Sequence, residues 1–95
     1  RLVYVYLKNH NEALLDQMAV VMADKLRAVF GNRVLGPDKP PVARIQTLFI
    51  KKIVVKIEQN APMGRARELL LRIQREMIED ERYKSLIVYY DVDPM

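Results

Sequence analysis

Two hydrophobic periods follow one another along this chain in an order that few folds accommodate. From Leu2 to Leu7 the residues are β-branched, aromatic or leucine, which is typical of a strand. The period then changes to that of a helix, which Asn11 can cap and which Gly31-Asn32 ends. The apolar stripe of this helix consists of Leu14, Leu15, Met18, Val21, Met22, Leu26 and Val29. The first third of the chain is therefore predicted to be a strand followed by a helix.

The strand period returns after this helix, interrupted by two proline corners. Arg33 to Leu35 is predicted to be a short strand that Gly36-Pro37 closes. Pro40-Pro41 then leads into a long strand, straight or bent, from Val42 to Glu58. One face of this strand is predicted to carry Ile45, Thr47, Phe49, Ile53, Val55 and Ile57.

A second helix and a last strand complete the pattern. The helix follows Asn60-Ala61-Pro62 and ends near Asp80, and Leu86 to Val92 is the strand. The apolar residues of the helix are Ala66, Leu69, Leu70, Ile73 and Met77. We therefore expect an α+β fold, a βαββαβ split βαβ or ferredoxin-like sandwich. In it, two helices cover one face of a mainly antiparallel four-stranded sheet.

Length and composition favour a single domain over residues 1–95. The chain is 51% hydrophobic and 29% charged, as in globular proteins. It begins with Arg rather than Met, so we expect a piece of a longer protein. No apolar run reaches the roughly 18 residues of a membrane span, so no membrane partner is expected. The absence of cysteine excludes disulfides and Cys-based zinc sites, and it fits a cytoplasmic location.

Few residues of this chain suit catalysis. One histidine, no cysteine and isolated glycines leave no usual nucleophile–base pair and no phosphate loop, so we predict no enzyme and no cofactor in this chain. His10 lies between two Asn and is predicted to be a solvated loop residue. Asp91 and Asp93 stand two apart and could hold a metal or move a proton. The favoured alternative is that they end a strand, solvated or paired with Lys or Arg.

Positive charge is concentrated in the middle of the chain. Residues 33–75 carry a net charge of +7, whereas the whole chain carries +4. Lys51, Lys52 and Lys56 could meet phosphates, or they could protect a sheet edge against aggregation. Phe49, beside them, could stack on a base or lie in the core.

The start of the second helix is a candidate anion site. Arg65 and Arg67 lie in the first turn, where the free N–H groups already favour an anion. In the alternative, Glu68 and solvent neutralise them. The later cations of this helix are explained by surface pairs four residues apart, namely Glu68–Arg72, Arg72–Glu76 and Arg75–Glu79.

Four short motifs in order resemble one known domain. They are VLGP at 34–37, PPVAR at 40–44, IVVK at 53–56 and DVDP at 91–94. Together they are similar to the C-terminal domain of the primosomal protein N' (PriA) family, the replication-restart DNA helicases of bacteria. Thr47 stands where many relatives have Gly, and Leu48 and Ile50 stand where they often have Arg. The positions that fit the family's basic strand are Arg44, Phe49, Ile53, Val54, Val55 and Lys56.

The resemblance implies a parent that is an ATP-dependent 3'–5' DNA helicase of the primosome. The parent would bind ATP, Mg and Zn outside this chain and load the replisome. The domain itself would be non-catalytic, pack on the helicase core, and bind branched or single-stranded DNA. We therefore expect DNA contacts from Arg44, Lys51, Lys52 and Lys56.

The family also binds the C-terminal tail of the single-stranded-DNA-binding protein, and it assembles with other primosome proteins. In the family, an Arg near the start of the second helix contributes to the pocket that receives this tail. Arg65 or Arg67 would be its counterpart. The family's Gln one turn later is not matched, since Leu69 and Leu71 stand there.

Two other functions fit the same fold, because this architecture hosts many. One is an interdomain docking module that packs on the helicase core without touching DNA. The other is a regulatory domain that binds a small molecule or a metal through Asp91 and Asp93.

Overall fold

The expected order of helices and strands is present, with one additional short strand. The computed structural model describes residues 1–41 and 43–93. In this range the chain is an α+β structure of two helices and a five-stranded antiparallel sheet. The strands are β1 (Leu2–Asn9), β2 (Val34–Asp38), β3 (Arg44–Ile45), β4 (Leu48–Lys56) and β5 (Ile87–Val92). Val42, where the long strand was expected to begin, and Pro94 of the DVDP motif lie outside the described residues.

Both helices begin and end close to the positions predicted. Helix α1 spans Glu12–Phe30 and helix α2 spans Met63–Glu79. The Asn11 side chain accepts a hydrogen bond from the Leu14 N–H at 3.0 Å, and Gly31 follows the last residue with a φ of 66°. Short 3₁₀ turns lie at Gly31–Arg33 and Glu81–Tyr83. Within the described residues, neither helix combines the length and the apolar character needed to cross a membrane.

Strand β1 lies inside the sheet, between β4 and β5. The order is β2-β4-β1-β5, and β3 pairs with β4. Val5 of β1 lies opposite Ile53 of β4 on one side and opposite Tyr90 of β5 on the other. Because side chains alternate along a strand, these three residues share one face of the sheet.

The core lies between that face and both helices. Val3, Val5 and Leu7 of β1 are fully buried, and residues of α1 and α2 belong to the same apolar cluster. The contributions of the helices to the core are Leu15, Met18, Ala19, Met22, Ala23 and Leu26 from α1, and Ala66, Leu70, Ile73 and Met77 from α2. Each helix therefore buries most of the apolar stripe that its sequence predicts, but Val29 of α1 is exposed.

The long strand predicted from Val42 to Glu58 is wrong in its first part. The chain reverses at Gln46-Thr47, where Gln46 adopts a φ of 54°, and Ile45 pairs with Leu48 in a small hairpin. The prediction failed because this reversal contains no Gly, Asn or Pro, the residues that usually mark a turn. The hairpin adds β3, so the sheet has five strands rather than four.

The Gly36-Pro37 corner was predicted to end a strand, but it lies inside β2. The pairing of β2 with β4 shifts register between Leu35 and Asp38. Such a bulge accommodates a proline, which has no N–H to donate to the ladder. Gly36 has a φ of 99°, and a Cβ placed there would lie 3.0 Å from the Lys52 carbonyl oxygen. Glycine is therefore required at this position by both conformation and space.

Candidate nucleic-acid interface

The face of the sheet opposite the helices carries tyrosines and lysines. In β1, the buried residues alternate with residues on this face, so the LVYVYLK segment places apolar side chains inside and polar or aromatic ones outside. We call this surface the open face. Its residues are Tyr4, Tyr6 and Lys8 of β1, Lys52, Val54 and Lys56 of β4, and Ile87, Tyr89 and Asp91 of β5.

Aromatic rings from two strands meet in the middle of the open face. The rings of Tyr6 and Tyr89 are stacked, with centroids 4.8 Å apart and planes 16° from parallel. Tyr4 meets Tyr6 edge to face at 6.3 Å. Tyr89 keeps 41% of its surface exposed although it is part of the stack. The open face therefore presents accessible aromatic surface in a fixed position.

Two lysines lie over these rings. The Lys52 ammonium is 4.4 Å from the centroid of Tyr4, and that of Lys8 is 4.6 Å from the centroid of Tyr89. In the described part of the chain, no carboxylate lies within 4.0 Å of either ammonium. The rings hold both charges by cation–π attraction, which leaves them available to an anion from outside.

The phenol of Tyr6 is uncharged at neutral pH. The pKa of Tyr6 is raised above its ordinary value, first by burial and then by the nearby Tyr89, Asp91 and Tyr4. Each of these acts against a phenolate at Tyr6. The Tyr6 phenol therefore adds no negative charge beside the two lysines. Asp91 lies close to Tyr6, and Asp38 of β2 lies opposite Lys52.

A groove adjoins the stacked rings. Its volume is about 350 Å³, and Pro40, Pro41 and Ile45 contribute to its lining together with the sheet. Ile50 lies on the open-face side of β4 but is only 3% exposed, and Pro40 is also buried. The residues that line the groove are Tyr6, Pro40, Pro41, Ile45, Ile50, Tyr89 and Asp91. The Pro-Pro corner thus forms part of an apolar groove.

The four cations predicted to bind DNA do not form one surface. The side chains of Lys52 and Lys56 lie on the open face, but Lys51 points toward the helices. There it forms an ion pair with Asp16 of α1 at 3.2 Å, and its side chain is 17% exposed. Arg44 lies over the ring of Phe49, which has the same parity as Lys51. The pleat of β4 therefore separates Lys52 and Lys56 from Lys51 and Arg44.

Sequence reasoning missed most of the open face. Tyr4 and Tyr6 were assigned only to a strand, and Lys8 and Tyr89 were not singled out. The signal was the strict alternation from Leu2 to Lys8, which distinguishes an inner from an outer face. Which of Tyr89 and Tyr90 belongs to the outer face depends on register, and neighbouring tyrosines do not reveal it.

Arg65 and Arg67 lie beside different parts of the protein. Arg65 forms an ion pair with Glu68 at 3.5 Å. Arg67 borders an apolar hollow of about 160 Å³ between α2 and the β5 edge of the sheet. The other residues lining this hollow are Val3, Met63, Leu70, Leu71, Tyr90 and Val92. Two positions apart on a helix, the two guanidinium groups do not converge on one anion.

The predicted surface pairs of α2 are replaced by others. Among the described residues, none of the three pairs predicted four positions apart lies within ion-pair distance. Glu76 instead reaches Lys25 of α1 at 3.7 Å, while Glu68 reaches back to Arg65. Arg72 and Arg75 are exposed, which is consistent with the small energies of surface pairs.

Asp91 and Asp93 do not act as a pair. Asp91 lies on the open face, whereas Asp93 has a φ of 50° and accepts hydrogen bonds from Arg1 Nε at 2.9 Å and the Leu2 N–H at 3.1 Å. These bonds lower the pKa of Asp93.

The exposed His10 lies 3.0 Å from Thr47 Oγ1. No three His, Cys, Asp or Glu residues in 1–41 and 43–93 are grouped to hold a metal ion.

Comparison with protein families and with curated proteins gives no relative for this chain. No protein-family model matches it, and no curated protein matches it either. Its function is therefore argued from its own residues and from their arrangement on the two faces of the sheet.

Proposed function

We propose that the chain is the non-catalytic, DNA-binding and docking domain of a bacterial replication-restart helicase that acts in primosome assembly in the cytoplasm. The four ordered motifs that resemble the primosomal protein N' family support this proposal. The strand order β2-β4-β1-β5, with two helices packed in one core, supports a ferredoxin-like arrangement to which β3 is an addition. ATP, Mg and Zn would be bound by other parts of the parent.

The observation that carries the proposal is the pair of lysines on the open face. Lys8 and Lys52 have no carboxylate within ion-pair distance among the described residues, and exposed Lys56 follows on the same face of β4. Lysines on a sheet face can neutralise the phosphates of a DNA strand laid across it. Binding of this kind tolerates any sequence. It weakens as the salt concentration rises, because the counterions released from the DNA by the protein then gain less entropy.

The hollow beside Arg67 supports a second role in docking. Its lining is apolar, and a guanidinium stands at its border. Leu71 and Val92, which also line it, are 44% and 43% exposed. An apolar side chain followed by a free carboxylate matches this arrangement, as at the C-terminus of the single-stranded-DNA-binding protein tail. We assign the tail to Arg67 rather than to Arg65, which is occupied by Glu68.

Charge reversal of neighbouring lysines tests the DNA-binding role. We expect Lys52→Glu to weaken binding of labelled fork, duplex and single-stranded DNA in fluorescence anisotropy. The slope of log affinity against log salt should fall by about 1 for the lost phosphate contact. Lys51→Glu is the matched control, because Lys51 faces the helices and already pairs with Asp16. Wild-type protein that binds no DNA at low salt would refute the proposal.

One observation favours the alternative of a docking module that does not contact DNA. Leu35 and Ile87 are 45% and 46% exposed on the side of the sheet away from the helices, where a helicase core could cover them. The same experiment separates the two functions. If the folded protein binds none of the three DNA forms at any salt concentration, docking alone would be favoured.

A further inference from the structure

We infer that the stacked pair of Tyr6 and Tyr89, with the groove beside it, holds the bases of single-stranded DNA. This inference rests on the proposed DNA-binding function. It adds the part of the site that distinguishes a single strand from a duplex, which the lysines alone cannot do because both forms carry phosphates.

The first argument is the accessibility of aromatic surface. In a duplex the bases stack on one another, whereas a single strand offers their faces to aromatic side chains. Tyr89 is 41% exposed and is held in place by Tyr6 at 4.8 Å. A side chain that is already ordered loses little conformational entropy when a base stacks on it.

The second argument is the composition of the groove. At about 350 Å³ it falls within the range of about 300–1,000 Å³ typical of small-ligand sites. Tyr6, Tyr89, Pro40 and Pro41 give it flat or rigid apolar surfaces from the sheet and from the segment that covers it. A nucleobase, with apolar faces and a polar edge, matches such a lining better than a phosphate does.

The third argument is the placement of charge. Lys8 and Lys52 lie 4.6 and 4.4 Å over the rings of Tyr89 and Tyr4, so positive charge borders the stack. Of the described residues that line the groove, Asp91 alone is charged. A carboxylate repels a phosphate but can accept a hydrogen bond from the amino group of a base. The charges therefore favour bases in the groove and the backbone beside the lysines.

The stacking of Tyr6 on Tyr89 also has a structural role, which the experiment must separate from a role in binding. Cross-strand aromatic pairs such as Tyr6 and Tyr89 stabilise a sheet. If stability were the whole role of Tyr89, its replacement would change unfolding without changing the preference between single-stranded and duplex DNA.

The experiment replaces the ring of Tyr89 in the 95-residue chain. We expect Tyr89→Leu to weaken binding of a labelled 12-nucleotide single strand by about 5- to 100-fold, the effect of losing one stacked base. Binding of the same sequence as a duplex should change by less than about twofold, since its phosphate contacts remain. Tyr89→Phe keeps the ring and should therefore retain most of the single-strand affinity that Tyr89→Leu loses. Circular dichroism confirms that each variant is folded.

Tyrosine fluorescence gives an independent measurement. The chain has five tyrosines and no tryptophan, so its emission comes from tyrosine, and Tyr4, Tyr6 and Tyr89 on the open face contribute to it. Stacking of bases on Tyr6 and Tyr89 should quench this emission when the single strand is added, and Tyr89→Leu should lose most of the quenching. Phosphate contacts alone would leave the emission nearly unchanged.

The outcomes separate this inference from the proposed function. Wild-type protein that binds no DNA would refute both. Salt-dependent DNA binding that Tyr89→Leu does not weaken, or weakens equally for duplex and single strand, would refute the base-stacking site and leave the DNA-binding function intact. Tighter binding of a matched RNA strand than of DNA would refute the assignment of DNA as the ligand.

Discussion

The two faces of the sheet differ although they share the same strands. On the side of the helices, Val3, Val5 and Leu7 are fully buried. On the open face, Tyr4 and Tyr6 of the same strand are partly exposed. A strand with period-2 alternation can separate two tasks in this way, because each residue serves one face only. We therefore expect substitutions on the helix-covered face to change stability and substitutions on the open face to change binding.

The two faces also differ in the partners of their lysines. Lys51, which points toward the helices, is neutralised by Asp16 at 3.2 Å. Its neighbour Lys52 lies over the ring of Tyr4 at 4.4 Å. A cation near a core needs a partner to offset its desolvation, whereas a cation on an open face can remain available for a ligand. Adjacent lysines therefore have different surroundings, one paired with a carboxylate and the other lying over an aromatic ring.

The largest effect should come from truncating the core. Leu7→Ala removes a fully buried side chain and is expected to lower the free energy of unfolding by about 2–5 kcal/mol. Ile87→Ala, on the open face and 46% exposed, should change it by less than about 0.5 kcal/mol. Urea unfolding followed by circular dichroism measures both. A loss at Ile87 as large as that at Leu7 would show that something covers the open face.

The next effect concerns the glycine that brings β2 against β4. Gly36→Ala forces a side chain into a φ of 99° and within 3.0 Å of the Lys52 carbonyl, so we expect a loss of about 1–3 kcal/mol in the free energy of unfolding. Gly64→Ala is the matched control. It lies in α2 with nothing within 4 Å of the added Cβ and should be neutral or stabilising by up to about 1 kcal/mol. Equal stability of the two variants would contradict a requirement for glycine in the bulge.

Much of the fold could be predicted from the sequence, because the signals were local and strong. The alternation of Leu2 to Leu7 and the stripes of both helices determine which side chains are buried, and Asn11 and Gly31 mark the ends of α1. The hairpin at Gln46-Thr47 could not be predicted, since a positive φ at Gln has no marker in the sequence. The pairing of Ile45 with Leu48 closes this hairpin.

The candidate site was harder to predict because it depends on register between distant strands. Alternation along the predicted strand already separates Lys51 from Lys52. Arg44, in contrast, lies on the face of Phe49 only because of the hairpin at Gln46-Thr47, which the sequence did not show. The stack of Tyr6 on Tyr89 joins residues 83 positions apart, which no local pattern encodes. Registers of this kind follow from the packing of whole strands rather than from a motif.

Neighbouring tyrosines in β5 allow the comparison to be tested by pH. Tyr90 faces the helices and donates hydrogen bonds to Gln74 Oε1 at 2.8 Å and to the Leu70 carbonyl at 3.4 Å. Burial raises the pKa of Tyr90 to about 12. Tyr90→Phe should lower the free energy of unfolding at neutral pH by about 0.5–1.5 kcal/mol, the usual value of such a bond. Tyr89→Phe, on the open face, is the matched control and should be nearly neutral.

The sign of the pH effect follows from which state holds the proton. Between about pH 10, where an unfolded tyrosine ionises, and the folded value near 12, the unfolded chain releases the proton that the folded chain retains. This contribution to stability is present below pH 10 and is lost as the pH rises through that range. Wild type should therefore lose stability faster than Tyr90→Phe above pH 10. Parallel curves in urea unfolding would contradict the burial of this phenol.

The smallest effect should come from the carboxylate that neutralises Lys51. Asp16→Asn removes the 3.2 Å ion pair, and because Asp16 is half-exposed we expect a loss of no more than about 1 kcal/mol in the free energy of unfolding. Asp24→Asn, which breaks an exposed pair of 3.7 Å with Arg27, is the matched control and should have a still smaller effect. Neither variant should change the preference for single-stranded over duplex DNA, because neither residue lies on the open face. A clear gain of single-strand affinity in Asp16→Asn alone would mean that Lys51, once released, reaches the ligand. The separation of the two faces by the pleat of β4 would then be incomplete.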